Sequence, residues 1–227
     1  MGIGPILYCD IDHRILGNHD GLCKLEFLIQ IFIYPEEKEI LLLILHHLLL
    51  LAVIYSFYKT STTKPGSPTQ TDSEDDPLTT QRKTCKFCQN NKPMRCHHCR
   101  QCNKCILRMD HHCPWVNNCI GQNNYKYFFC LVFYATLTSV VYFCIYFNKI
   151  LKNPPIGKID TYFIIFAATL SFTLMIVLFL FLAFHTKLIS NNQTTLEYFE
   201  KQREHYNKDL VSNCNEFLGP GCWLIPN

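Results

Sequence analysis

The chemistry-bearing residues of this chain crowd into residues 85–121. The run reads CKFCQNNKPMRCHHCRQCNKCILRMDHHCPWVNNCIG and holds eight of the 14 cysteines, together with His97, His98, His111 and His112. Thiols and imidazoles interleaved at such spacings are metal donors, and the Cys-x2-Cys knuckles Cys85/Cys88 and Cys99/Cys102 are the usual half-sites of zinc. Twelve donors could fill three closed four-ligand sites and leave an inert scaffold, or fill two and leave four groups free for chemistry; spacing alone allows both. Reduced, metal-binding thiols imply a cytosol-facing segment rather than a secreted disulfide framework.

Whatever this cluster does, apolar segments must hold it. Three stretches, 40–58, 127–147 and 162–184, are long and apolar enough for helices that cross a bilayer, and the last two contain no Asp, Glu, Lys or Arg. His46 and His47 lie mid-span in the first and read as bundle-facing polar residues. Upstream, residues 22–34 are largely apolar but short and interrupted by Lys24 and Glu26, so they read as an interfacial helix or a weak fourth span within an N-terminal region 1–39. The start lacks the basic n-region of a cleaved signal peptide, and Ile6 stands where a myristoylation motif has Ser or Thr. Residues 59–84 are rich in Pro, Ser, Thr and acid and read as a flexible linker leading into a cysteine-rich domain at 85–126. The loop between the first two clear spans holds 11 of the 21 Lys and Arg residues, which points it to the cytosol; residues 148–161 then face the opposite side, and the tail 185–227 returns to the cytosol. The expected fold is an all-α integral-membrane bundle carrying a small cysteine-rich domain. A formal charge of +3 without a long basic run argues against a nucleic-acid partner.

Asp110-His111-His112-Cys113, followed by Pro114-Trp115-Val116-Asn117-Asn118-Cys119-Ile120-Gly121, resembles the signature of the DHHC family of protein palmitoyltransferases. The likeness extends upstream through Lys92-Pro93, Arg95, His98-Cys99, Cys102 and Cys105, and downstream to Asn124. Thr194-Thr195-Leu196-Glu197 is similar to the family's TTxE motif, and Tyr206 and Asn213 have the spacing of its C-terminal aromatic and asparagine motif. Two departures stand out: Lys64-Pro65-Gly66 replaces Asp-Pro-Gly, and the family's usual first span is poorly legible.

The resemblance implies two interleaved structural zinc sites, one on Cys85, Cys88, His98 and Cys105, the other on Cys99, Cys102, His112 and Cys119. It implies a fatty acyl-CoA donor, palmitoyl-CoA in particular, an acyl thioester on Cys113, and acceptor proteins with accessible cysteines. His111 is then the candidate general base, Asp110 its orienting carboxylate, and Thr195 a support for Asp110. Asn213 becomes a structural tail residue, Trp115 a wall of the acyl tunnel, and Thr138 the residue limiting chain length. Lys92, Arg95 and Arg108 are candidate partners of the CoA phosphates. The expected address is an endomembrane (Golgi or endoplasmic reticulum) or the plasma membrane, with the active site on the cytosolic face. Two readings compete: a membrane-tethered zinc adaptor, whose RING-type central Cys-x-His pair and long gaps this run lacks, and a catalytically weak or inactive family member acting as a scaffold.

Overall fold

Each knuckle opens a turn, and each turn is tied to a hairpin. In the computed structural model, which describes residues 37–68, 84–152, 158–200, 206–221 and 223–225, β1 (His97–Cys99) pairs antiparallel with β2 (Lys104–Ile106), and β3 (His111–Cys113) with β4 (Asn118–Ile120). His98 stands opposite Cys105 and His112 opposite Cys119. Directly opposed residues share a face of the ribbon, so each hairpin offers one imidazole and one thiol together. Gln89, Asn103 and Asn117 all take positive φ (57°, 50° and 48°), and each is the fourth residue after Cys85, Cys99 or Cys113. The segment is thus a fourteen-residue repeat, in which the knuckle turn occurs three times and the hairpin twice.

The chain divides into two compact units, Met1–Leu45 and His46–Asn227; residues 37–45 are the described part of the first, and all other described residues belong to the second. Helices α1 (Glu37–Thr62), α2 (Tyr125–Lys152) and α3 (Lys158–Ser190) contain stretches long and apolar enough to cross a membrane: Ile40–Thr62, Tyr125–Ile145 and Thr161–Ser190. The short helices α4 (Thr195–Phe199) and α5 (Leu210–Leu218) come after them, with α5 packed on α3 and α2. The helices overrun the apolar windows of the sequence. His185, Thr186 and Lys187 end the apolar run of the third but not its backbone hydrogen bonding, so the tail begins six residues later than expected. Residues 22–34 lie outside the described residues, as do residues 69–83 of the expected linker.

The start of that linker is ordered, contrary to expectation. α1 continues to Thr62, Pro65 and Gly66 are buried, and Leu107 N–H donates to Gly66 O (3.1 Å) while Asn123 N–H donates to Pro65 O (3.1 Å). Two asparagines of the cysteine-rich domain satisfy the orphan carbonyls at the end of α1. Asn118 Nδ2 donates to Thr60 O (3.1 Å) and Thr63 O (2.9 Å), and Asn124 Nδ2 to Thr60 O (3.3 Å). The Lys-Pro-Gly variant therefore keeps the two residues that dock, because the contacts run through backbone carbonyls.

Gly121 is the tightest point of this junction. A Cβ there would lie 2.6 Å from Ile106 Cγ2, 2.8 Å from Pro65 O and 2.9 Å from Leu107 O, and the two carbonyls belong to backbone that cannot swing away. Gly121→Ala is expected to destabilise the protein by about 1–3 kcal/mol, the usual cost of overpacking. A lowered thermal midpoint in detergent checks this; an unchanged midpoint would mean that the junction is loose.

Candidate active site

The twelve donors sort into two tetrads and a remainder. Cys85, Cys88, His98 and Cys105 bring one ligand atom each to within 4.8 Å of one another, and so do Cys99, Cys102, His112 and Cys119. Bonds of about 2.3 Å to sulfur in a tetrahedral site put neighbouring donors somewhat under about 4 Å apart. The observed separations fit: Cys88 Sγ to His98 Nδ1 is 3.2 Å, Cys105 Sγ to Cys88 Sγ 3.7 Å, Cys102 Sγ to Cys119 Sγ 3.3 Å and Cys119 Sγ to His112 Nδ1 3.5 Å. Both clusters could hold a metal ion, and three thiols with one imidazole make a closed, structural composition.

The two sets are one pattern used twice. Every ligand of the second lies fourteen residues beyond its counterpart in the first, and the knuckle that opens at the end of β1 serves the second hairpin rather than its own. The third knuckle opens at Cys113 and serves no hairpin, because Val116 stands where its second cysteine would be. Its turn survives. Cys88 N–H points at Cys85 Sγ (3.5 Å) and Cys102 N–H at Cys99 Sγ (3.4 Å); at the third turn the backbone N–H groups of Val116 and Trp115 help to lower the Cys113 thiol. A turn shaped to stabilise a metal-bound thiolate thus holds a sulfur that belongs to neither set.

Beside that sulfur lies a charge chain. Asp110 is fully buried (0% exposed), and its carboxylate accepts from His111 Nδ1 (2.7 Å), Thr195 N–H (2.7 Å) and Thr195 Oγ1 (2.7 Å). A carboxylate only accepts, so the proton of the imidazole sits on Nδ1, and His111 is near enough to Cys113 for each to shift the titration of the other. Burial opposes ionisation of Asp110, but the bonds from His111 and Thr195 overcome it and keep its carboxyl below the ordinary range. Burial likewise works against a charged His111, yet Asp110 and Cys113 raise it to about 9. Burial would raise the thiol of Cys113, and His111 with the two backbone donors brings it below its ordinary value. The first repeat supplies an internal contrast. Cys96 stands in place of Asp110 and His97 in place of His111; burial pushes the Cys96 thiol up to about 11 and His97 down. The carboxylate makes the difference.

Helices wall this chain in. The His111 ring meets Phe128 of α2 edge-on (centroids 5.1 Å apart) and lies near His185 of α3 (6.2 Å), whose Nδ1 is bonded to Tyr125 OH (2.9 Å). Cys113 packs with Val116, Tyr125, Phe128, Val132 and Ile189, so the thiol faces the membrane-spanning helices.

A comparison with protein families matches residues 78–202 to the DHHC palmitoyltransferase family. The chain belongs to that family. Among similar curated proteins, "Probable protein S-acyltransferase 14" of Arabidopsis thaliana is 33% identical over 155 residues, covering 63% of this chain and 50% of the relative. "Probable protein S-acyltransferase 15" of the same plant is 36% identical over 169 residues, covering 65% of each. "Palmitoyltransferase ZDHHC15" of Xenopus laevis is 33% identical over 158 residues, covering 63% of this chain and 46% of the relative. The chain thus spans about half the length of the curated relatives it matches, up to 65%.

In this member of the DHHC family, the site residues expected from the sequence do not all fall where their roles require. Thr195 reaches Asp110, and Asn213 ties the tail to the last span through Ser190 O (2.8 Å). Thr138 donates to Tyr134 O in its own helix (2.7 Å), and Trp115 is 86% exposed rather than enclosed as a tunnel wall within the described residues. Arg95 and Arg108 are not free for phosphate. Arg95 (side chain 8% exposed) makes a bidentate pair with Glu197 (2.7 and 2.8 Å), bonds Asn192 Oδ1 (2.9 Å) and lies over the Tyr206 ring. Arg108 (9%) donates to Glu216 O (2.7 Å) and Asn192 Oδ1 (3.1 Å) and lies over the Phe217 ring at 3.8 Å. Both guanidiniums lock the tail against the cysteine-rich domain, and only Lys92 of the three expected phosphate partners stays outside that lock. Asn192 and Glu216 escaped sequence reasoning because polar tail residues carry no periodic signal of a partner some hundred residues away.

The geometry fixes a reactivity profile for Cys113. Alkylation by iodoacetamide, followed peptide by peptide, is expected to have its midpoint below that of an ordinary cysteine thiol, about pH 8.5. In His111→Ala only the two backbone donors still oppose burial, and the profile is expected to move to higher pH. Equal profiles in the two proteins would dissolve the thiolate–imidazolium pair.

Proposed function

We propose that this chain is a multi-pass membrane protein S-acyltransferase that moves a fatty acyl group from acyl-CoA to cysteines of acceptor proteins by way of an acyl thioester on Cys113. The observation that carries the reading is the His111 imidazole anchored on the buried Asp110 carboxylate in the same strand as the Cys113 thiol, which is the arrangement an acyl-transfer nucleophile needs. The Cys113 thiolate attacks the thioester carbonyl of acyl-CoA; the bond to CoA sulfur breaks, and the imidazolium of His111 gives its proton to the departing thiolate. Neutral His111 then takes the proton of an acceptor cysteine, whose thiolate attacks the acyl-Cys113 carbonyl and releases Cys113 as thiolate. One thioester is exchanged for another at each step, so the free-energy change is small and no further reactant enters. Asp110 keeps Nδ1 of His111 protonated and stabilises the imidazolium, and Thr195 holds Asp110.

Two zinc ions on the two tetrads would make the hairpins rigid and hold the turn carrying Cys113. Reduced ligands and the basic loop support a cytosolic active site on a Golgi, endoplasmic-reticulum or plasma membrane. Lys92 at that face is left as a partner for CoA phosphate.

The test uses purified protein in detergent, incubated with a clickable palmitoyl-CoA analogue, with zinc content measured in parallel. Wild type is expected to carry a hydroxylamine-sensitive label and about two zincs; Cys113→Ser is expected to keep the metal and lose the label. A folded, zinc-loaded wild type without label would leave a scaffold in place of an enzyme.

A further inference from the structure

Trp223 and Leu224, part of the expected cytosolic tail, lie against α2. The Cys130 thiol donates to Trp223 O (3.6 Å), and Tyr134 OH donates to Leu224 O (2.6 Å). The two donors stand four residues apart, about one turn of α2, and serve consecutive carbonyls, so the segment runs along the helix away from its cytosolic end. Trp223 Nε1 donates to Asn215 Oδ1 of α5 (2.9 Å), and Trp223 and Leu224 pack against the apolar cluster to which α2, α3 and α5 contribute. Residues 217–227 contain no Asp, Glu, Lys or Arg.

The helix sets the depth of this segment. The apolar run of α2 ends at Asn148 and Lys149, and a hydrocarbon core of about 30 Å takes about 20 residues, so its cytosolic boundary falls near Phe128. At about 1.5 Å per residue, Cys130 lies about 3 Å and Tyr134 about 9 Å inside that boundary. The helix also sets the side. Thr136 Oγ1 reaches Leu178 O of α3 (3.4 Å), and at about 100° per residue Tyr134 and Cys130 stand about 160° and about 120° round α2 from it. Both donors therefore occupy the flank turned away from α3. Irregular backbone inside a bilayer persists only where protein satisfies its polar groups. Here two consecutive carbonyls and the indole N–H each have a partner, and Pro226 brings no N–H.

Resting on the reading of α2 as a membrane span, we propose that residues 223–225 form a strap that dips into the cytosolic leaflet along α2, with lipid acyl chains as the partner of its outer side. Trp223 sits at the boundary, where indole rings anchor a chain to the interface, and Ile225, 54% exposed among the described residues, meets lipid. A thiol and a phenol on an apolar flank then have a reason: each supplies a donor that the bilayer lacks. The tail is fixed at two points, by Asn213 on the end of α3 and by the strap on α2.

The test places the full chain in phosphatidylcholine nanodiscs. Trp115 and Trp223 are its two tryptophans, so Trp115→Phe leaves Trp223 as the sole indole emitter. Its emission is expected to fall by about half with lipids brominated high on the acyl chain, to fall less with lipids brominated near the methyl end, and to resist acrylamide. Tyr134→Phe removes the donor to Leu224 O, and the amides of 223–225 are expected to exchange about tenfold faster than in wild type, the order of one unsatisfied buried acceptor. Emission quenched by acrylamide and untouched by brominated lipid would overturn the strap, as would exchange unchanged in Tyr134→Phe. Shielding from both quenchers would place the segment inside protein and overturn the lipid contact. A chain that does not enter the nanodisc would instead overturn the membrane reading, and the strap with it.

Discussion

The buried carboxylate of Asp110 is the constraint on which the rest of the site depends. A charged oxygen pair removed from water is tolerated only if donors replace the water, and three do so: two from Thr195, just beyond the last span, and one from His111 in the hairpin. Ionised Asp110 therefore requires the cysteine-rich domain and the end of α3 to meet. The capping box of α4 shapes that meeting. Thr194 Oγ1 accepts from Glu197 N–H, Glu197 Oε2 accepts from Thr194 N–H, and the same carboxylate takes the fork of Arg95. The TTxE sequence thus closes a helix start, holds the buried carboxylate of Asp110 and anchors an arginine within four residues.

Cys113 stands where a metal-binding pattern is interrupted. Two knuckles have a hairpin to serve and their sulfurs join four-donor sets; the third keeps its turn and its backbone donors but has Val116 in place of a cysteine. Its sulfur is left available as a nucleophile. The paired repeat also explains why Cys99, which occupies the corresponding strand position in β1, is no competitor: it belongs to a metal set, and its hairpin carries Cys96 where the second carries Asp110. The adjoining tetrad, through His112 and Cys119, could hold a metal that would make the turn rigid, and Asn118 and Asn124 seat it at the end of α1.

Much of this was legible in the sequence, and the exceptions share a cause. Donor types and spacing gave the cysteine-rich segment, long apolar runs gave three spans, and the family likeness gave the two tetrads and Thr195. The contacts of Arg95 and Arg108 were not legible because a charged side chain announces its sign but not its partner; their partners Glu197, Asn192 and Glu216 lie about a hundred residues on. The linker looked flexible by composition, yet its first residues dock through backbone carbonyls, which composition does not report. The fourteen-residue repeat was present in the letters all along. Interleaving hid it, because each knuckle's ligands close on the hairpin after its own.

The most direct test of the central claim is a single-turnover transfer without CoA. Acyl-loaded protein, freed of acyl-CoA, is mixed with a membrane-anchored peptide bearing one cysteine, and the acyl group is followed on both. Cys113 is predicted to lose its acyl group as the peptide gains it, one for one, and the transfer is predicted to slow sharply in His111→Ala loaded to the same extent. Acyl groups that stay on Cys113, or leave only to water while the peptide remains bare, would contradict the account.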